Sequence, residues 1–171
     1  MIKFYFDMDG CLAEYRYGAP FEALYLPDYF RSLNPNWSIL GAAKNLVNLK
    51  DRYPIDVYSL SAILDDHKTA KREKIEWLDE FFPELDEDHR IFTVCGENKS
   101  DYIEIDENCI LIDDFGTNIN DFLENNGQAV KVSKNFRDML YEEEEHAYSH
   151  FINPYMTKTD ITNYLLGFVD R

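Results

Sequence analysis

The chain has 171 residues, 33 acidic and 17 basic, for a formal net charge of −16, and 45% of it is hydrophobic and 15% aromatic. That apolar content predicts one folded domain over 1–171 with a sizeable core rather than a disordered chain, and the negative balance, which repels a nucleic-acid backbone, excludes duplex binding as a role. Three cysteines without CxxC spacing, Cys11, Cys95 and Cys109, indicate neither a disulfide framework nor a zinc cluster; reduced thiols and a cytoplasmic location are expected, with no leader ahead of the first strand and no apolar run of membrane-spanning length.

In chain order, the apolar run Ile2 to Phe6 predicts a buried strand over about 2–7 that ends in Asp7-Met8-Asp9-Gly10. Residues 11–36 carry Tyr15, Tyr17, Phe21, Tyr25, Tyr29 and Phe30, punctuated by Pro20, Pro27 and Pro35, and form a small aromatic-rich insertion after that strand. A helix over 38–50 follows from the spacing of Ile39, Ala42, Ala43, Leu46 and Leu49. A second strand covers about 55–60, with Ser59 and Ser61 near its end. A helix over about 66–82 should turn Ile75, Leu78 and Phe82 inward and its Lys and Glu residues outward, and Pro83 stops it. A third strand lies at 90–94, a short helix starts near Lys99, and Cys109 to Asp113 is a fourth strand ending in Asp113-Asp114. A helix over about 118–125, closed by Asn126-Gly127, leads to a fifth strand, Gln128 to Val132. Glu142 to Glu145 reads as a solvated helical face, and His146 and His150 sit four apart, a spacing two metal ligands could share. A closing amphipathic helix spans 157–169, with Thr157 or Thr159 as its cap.

Repeated strand–helix units argue for an α/β fold with a mostly parallel sheet of about five strands and helices on both faces. Ligands of such sheets bind beyond the carboxyl ends of the strands. In extended backbone, Asp7 and Asp9 point to the same side, about 6–7 Å apart at Cα. With Asp113 and Asp114 at a second strand end, four carboxylates would repel one another unless a hard cation compensates them. Mg²⁺, which prefers oxygen ligands, is the expected cofactor.

Asp7-Met8-Asp9-Gly10 resembles the first motif of the haloacid dehalogenase superfamily of phosphohydrolases, and Asp113-Asp114-Phe115-Gly116-Thr117-Asn118 resembles its fourth. Ser61, with Ser59 as fallback, suits the second motif, and Lys99 in Gly96-Glu97-Asn98-Lys99-Ser100 suits the third; order and rough spacing agree over 1 to about 132. The resemblance implies a three-layer Rossmann-like fold with the insertion as a small cap. It also implies Mg²⁺-dependent phosphomonoester hydrolysis through an aspartyl-phosphate. Asp7 would then be nucleophile and metal ligand. Asp9 would be general acid and base, with its main-chain carbonyl on the metal. Ser61 would bind phosphoryl oxygens and Lys99 would neutralise charge. Asp114 would be the direct metal ligand, aligned by Asn118 four residues on, and Asp113 would act from behind it or through a water.

The substrate expected is a small phosphorylated metabolite. The insert with Tyr29 to Leu33 and the Ile110 to Asp114 ending resemble the 5'(3')-deoxyribonucleotidase-like branch, which points to nucleoside monophosphates. Tyr15 and Phe21 could then stack on a base and Arg16 could reach a phosphate, although the same rings would equally serve to pack the insert. A phosphotransferase or mutase, or a catalytically silent binding protein of this fold, are the alternatives. The sequence leaves the oligomeric state open.

Overall fold

The protein is described here by a computed structural model, covering residues 1–16, 18–133 and 150–169. Six strands form one sheet: β1 (Ile2–Phe6), β2 (Ile55–Ile63), β3 (Arg90–Val94), β4 (Cys109–Asp113), β5 (Gln128–Val132) and β6 (Phe151–Ile152). Their spatial order is β3-β2-β1-β4-β5-β6, and every neighbouring pair is parallel. The helices are α1 (Trp37–Asn48), α2 (Ala70–Phe81), α3 (Gly116–Glu124) and α4 (Lys158–Leu166).

Alternation along the strands builds three layers. Phe4, Phe6, Ile110 and Ile112 enter a large core with Leu40 and Leu46 of α1, Trp77 and Leu78 of α2, and Ile161 and Leu165 of α4. Tyr5, Cys109 and Leu111 turn to the other face and meet Ile119 and Phe122 of α3. Because both faces are covered, central strands such as β4 are buried at every position. The fold is therefore a three-layer, Rossmann-like α/β sheet. Among the described residues, no helix is long and apolar enough to cross a membrane.

Several boundaries differ from the sequence expectation. The sheet has a sixth strand, β6, which adds to the edge at β5; two residues give no periodicity for a pattern to register. β2 runs on to Ile63, so Ser59 and Ser61 lie inside it rather than at its tip. The second helix begins at Ala70, not near 66, because residues 64–69 form a turned loop in which His67 N donates to Leu64 O.

The facing of α2 is the main correction. Glu73 and Lys74 are buried with Trp77 and Leu78, whereas Ile75 is only half-buried. The physical reason is that α2 faces the insertion and the strand ends, which are polar. Glu73 accepts the backbone N–H groups of Asp28 and Phe30, each at 3.2 Å, and the Thr69 hydroxyl at 2.5 Å. Trp77 Nε1 donates to Leu33 O at 2.8 Å. The insertion departs and returns at neighbouring points: Glu14 N donates to Asn34 O and Asn36 N to Leu12 O.

Glu142 to Glu145, His146 and Tyr17 lie outside the described residues. His150 is packed against aromatics, with Nδ1 2.9 Å from the Tyr164 hydroxyl and its ring 4.8 Å from that of Phe168. Thr157 is the cap of α4, its hydroxyl accepting from Asp160 N.

Candidate active site

The carboxyl ends of β1 and β4 bring Asp7, Asp113 and Asp114 together, with one carboxylate oxygen of each within 4.8 Å of the others. The register places Phe6 beside Ile112, and Asp7 N donates to Ile112 O at 2.9 Å, so the two strands deliver their acids side by side. After Asp7 the chain turns sharply. Gly10 has φ +88°, and a Cβ there would lie 2.0 Å from Asp114 Oδ2. Gly10 is required both for its backbone conformation and for the space Asp114 occupies.

Lys99 locks the two deepest acids. Its Nζ donates to Asp7 Oδ1 at 2.9 Å and to Asp113 Oδ2 at 2.7 Å, and all three residues are buried. Burial would lower the lysine pKa, but Asp113 and Asp7 outweigh it and hold the ammonium above its ordinary range. Burial pushes Asp7 up to about 7; Lys99 opposes that rise, and Asp113 and Asp9 reinforce it. A divalent cation beside Asp7 would act in the same direction as Lys99 and favour the ionised carboxylate.

Asp113 is fully committed. Oδ2 accepts from Lys99 and from Asn118 Nδ2 at 2.8 Å, and Oδ1 accepts from Phe115 N at 2.8 Å. Asn118, expected to support Asp114, therefore holds Asp113. Asp114 is half-exposed and lines the cleft above these groups.

A second buried lysine, which helical periodicity predicts to face outward from α2, completes the site. Lys74 Nζ donates to Asp9 Oδ2 at 2.5 Å, to Ser61 Oγ at 2.8 Å and to Ala62 O at 2.7 Å. It also lies 4.8 Å from the centre of the Phe30 ring. Ser61 is thus the serine joined to the acids, while Ser59 Oγ is buried with no partner among the described residues. The signal in the sequence was weak: Lys74 follows Glu73 in a charged stretch, and only the side that α2 presents separates it from Lys71.

The cleft over these groups has a volume of about 360 Å³ and is walled by Asp9, Tyr15, Phe30, Phe115 and Asn118 among others. Tyr15 lines this cleft. Phe21 and Arg16 do not line this cleft: Phe21 is exposed and packs edge-on against Tyr25, and Arg16 donates to Ser32 O and Oγ and lies over the Tyr29 ring. Phe115, 60% exposed, also lines the cleft, a place that its position in the fourth motif beside Asp113 and Asp114 does not single out. Cys11 is a packing residue. It is buried with its thiol directed to Ile112 O at 3.4 Å, and burial pushes that thiol well above its ordinary range.

With all groups ionised, Asp7, Asp9, Asp113 and Asp114 against Lys74 and Lys99 leave two negative charges uncompensated. That is the charge of one divalent cation, and the donors are all hard oxygens, so the residues fit Mg²⁺. Fold and site together define an all-parallel α/β protein with a buried carboxylate–lysine cluster at its strand ends. No protein-family model matches the chain, and no curated protein matches it in sequence.

Proposed function

We propose that the protein is a Mg²⁺-dependent phosphomonoester hydrolase that works through an aspartyl-phosphate on Asp7, as its resemblance to haloacid dehalogenase-type phosphohydrolases implies. The observation that carries this reading is the meeting of Asp7, Asp9, Asp113 and Asp114 with two buried lysines beneath one open cleft.

A phosphomonoester dianion repels an anionic nucleophile, so its charge must be neutralised before a carboxylate can attack. Asp7 and Asp114, with the Asp9 main-chain carbonyl as the resemblance implies, would hold Mg²⁺, which would supply part of that neutralisation. Lys99 supplies more. Two of its three N–H groups are spent on Asp7 and Asp113, which leaves one for a phosphoryl oxygen. Asp7 attacks phosphorus, the P–O bond to the alcohol breaks, and the leaving oxygen takes a proton from Asp9. Water then forms a new P–O bond and the bond to Asp7 breaks, returning its electron pair to the carboxylate. The water proton passes to Asp9.

The decisive test is hydrolysis of a panel of nucleoside monophosphates, sugar phosphates and p-nitrophenyl phosphate with Mg²⁺ and with excess chelator. Chelator-sensitive release of inorganic phosphate is expected. A chain inert on the whole panel would leave a binding protein of this fold. Release that depends on an added acceptor alcohol would identify a phosphotransferase.

The two acids of the fourth motif should behave differently. Asp114→Asn should weaken Mg²⁺ binding more than Asp113→Asn in a calorimetric titration, because Asp114 faces the cleft. Asp113→Asn should cost about 10–100-fold in affinity or activity through the groups it orients. The opposite order would make Asp113 the ligand.

For substrate, we favour nucleoside monophosphates, with Tyr15 and Phe115 as walls for the base. Stacking is worth about 1–3 kcal/mol per base. Tyr15→Ala should therefore lower kcat/KM for a nucleoside monophosphate about tenfold or more while sparing p-nitrophenyl phosphate. Phe21→Ala, outside the cleft, should change neither. Equal efficiency of the unmodified chain on nucleotides and sugar phosphates would remove the nucleotidase reading and leave the phosphatase one standing.

A further inference from the structure

We propose that Lys74 is a positioning residue that pins Asp9 by one carboxylate oxygen and so aims the other at the proton transfers of the reaction. The inference rests on the phosphohydrolase reading and assigns to the site a residue its four motifs do not include.

The argument is one of donors. An ammonium group has three N–H bonds, and those of Lys74 are all taken, by Asp9 Oδ2, Ser61 Oγ and Ala62 O. The Phe30 ring closes another side. Lys74 is fully buried and does not line the cleft. Lys99 is equally buried and outside the cleft lining but keeps one N–H uncommitted, whereas Lys74 has none left to offer a phosphoryl oxygen. What Lys74 does is fix two neighbours. Asp9 is held by Oδ2 alone, and Oδ1 is a buried oxygen with no partner among the described residues, aside from which Asp9 borders the cleft. A buried, unmatched carboxylate oxygen is costly, and it is tolerated here where the mechanism needs an acceptor for a proton. Ser61 Oγ accepts from Lys74, so its own O–H is free to donate elsewhere.

The anchoring is rigid. Lys74 follows Glu73, whose carboxylate ties α2 to the backbone of the insertion at Asp28 and Phe30. The same helix turn thus fixes the cap on one side and Asp9 on the other.

Without Lys74 the Asp9 carboxylate keeps its chemistry but loses its direction. The two half-reactions then diverge. With p-nitrophenyl phosphate the leaving group departs without help, so Asp7 is still phosphorylated. Attack of water on the aspartyl-phosphate still needs Asp9 to take the proton, so that step slows, by about 10²–10⁴-fold if the whole general-base contribution is lost.

The experiment compares the unmodified chain with Lys74→Met by rapid-quench kinetics in Mg²⁺. The variant should release about one equivalent of p-nitrophenol in a burst, turn over slowly afterwards, and carry a phosphoryl group in the acid-quenched intact mass. The unmodified chain should show no such accumulation. On an alkyl phosphate, whose leaving oxygen needs a proton, the variant should show a large loss and no burst. In an Asp9→Asn background, Lys74→Met should cost less than about threefold more, because both changes act on one step. Lys74→Gln, which keeps a donor, reads the same step should the methionine chain not fold. Equal losses on both esters with no phosphoenzyme, or fully additive losses with Asp9→Asn, would overturn the inference. An unmodified chain inert on both esters would overturn the hydrolase reading itself and this role with it.

Discussion

Asp7→Asn should abolish turnover while leaving the fold in place. The substitution keeps the side chain's shape but removes the negative oxygen that the proposed mechanism directs at phosphorus. A loss of at least about a thousandfold in kcat, about 4 kcal/mol of barrier, is expected. Stability should move little, because Asp7 is buried at a cost that already drives its pKa up to about 7, and asparagine sheds that buried charge. Lys99 retains Asp113 as its partner. Thermal unfolding followed by circular dichroism, run beside the phosphatase assay, separates the two effects. A folded variant with near-normal turnover would remove Asp7 from the nucleophile's role.

Lys99→Met should injure stability and activity together, and Mg²⁺ should repair the first more than the second. The lysine is fully buried between Asp7 and Asp113 and pairs directly with both; Lys74 lends Asp7 only a smaller opposing charge from beside Asp9. Removing one partner from a buried ion cluster leaves uncompensated charge and typically costs about 3–5 kcal/mol. Turnover should fall at least about a hundredfold, since the phosphoryl oxygens lose a charge-assisted donor. A cation entering the cleft meets more unbalanced carboxylate in the variant than in the unmodified chain. Saturating Mg²⁺ should therefore raise the unfolding temperature of Lys99→Met more than that of the parent. An unfolding temperature equally indifferent to Mg²⁺ in both would mean that this acidic cluster is not a metal site.

Much of this geometry follows from local pattern. The apolar runs ending in Asp7 and in Asp113-Asp114 place the acids at strand ends, since a buried parallel strand is apolar throughout and can admit charge only where it leaves the sheet. β3, β4 and β5 fall on the residues their composition predicts, and the alternation of strands with helices predicts the three layers. Lys99 is legible because it follows a strand end closely, at the start of a short turn.

Lys74 is legible only in three dimensions. In a helix with charged residues at most positions, periodicity cannot say which side is buried when the buried side is itself polar, and α2 buries Glu73 and Lys74 because its neighbours are backbone N–H groups of the insertion and the Asp9 carboxylate. The insertion shows the same limit. Its aromatic content marked it as a wall of the site, yet only the folded path decides that Tyr15 and Phe30 line the cleft while Phe21 and Arg16 do not. The exchange of partners between Asp113 and Asp114, with Asn118 on the former, is likewise a matter of one turn's geometry after β4. The sequence by itself determined the layered α/β sheet and the acids at its strand ends, because burial and strand periodicity are local in origin. Tertiary structure alone decided which lysine meets which carboxylate, because those contacts join residues 65 and 92 positions apart that only sheet order and helix facing bring together.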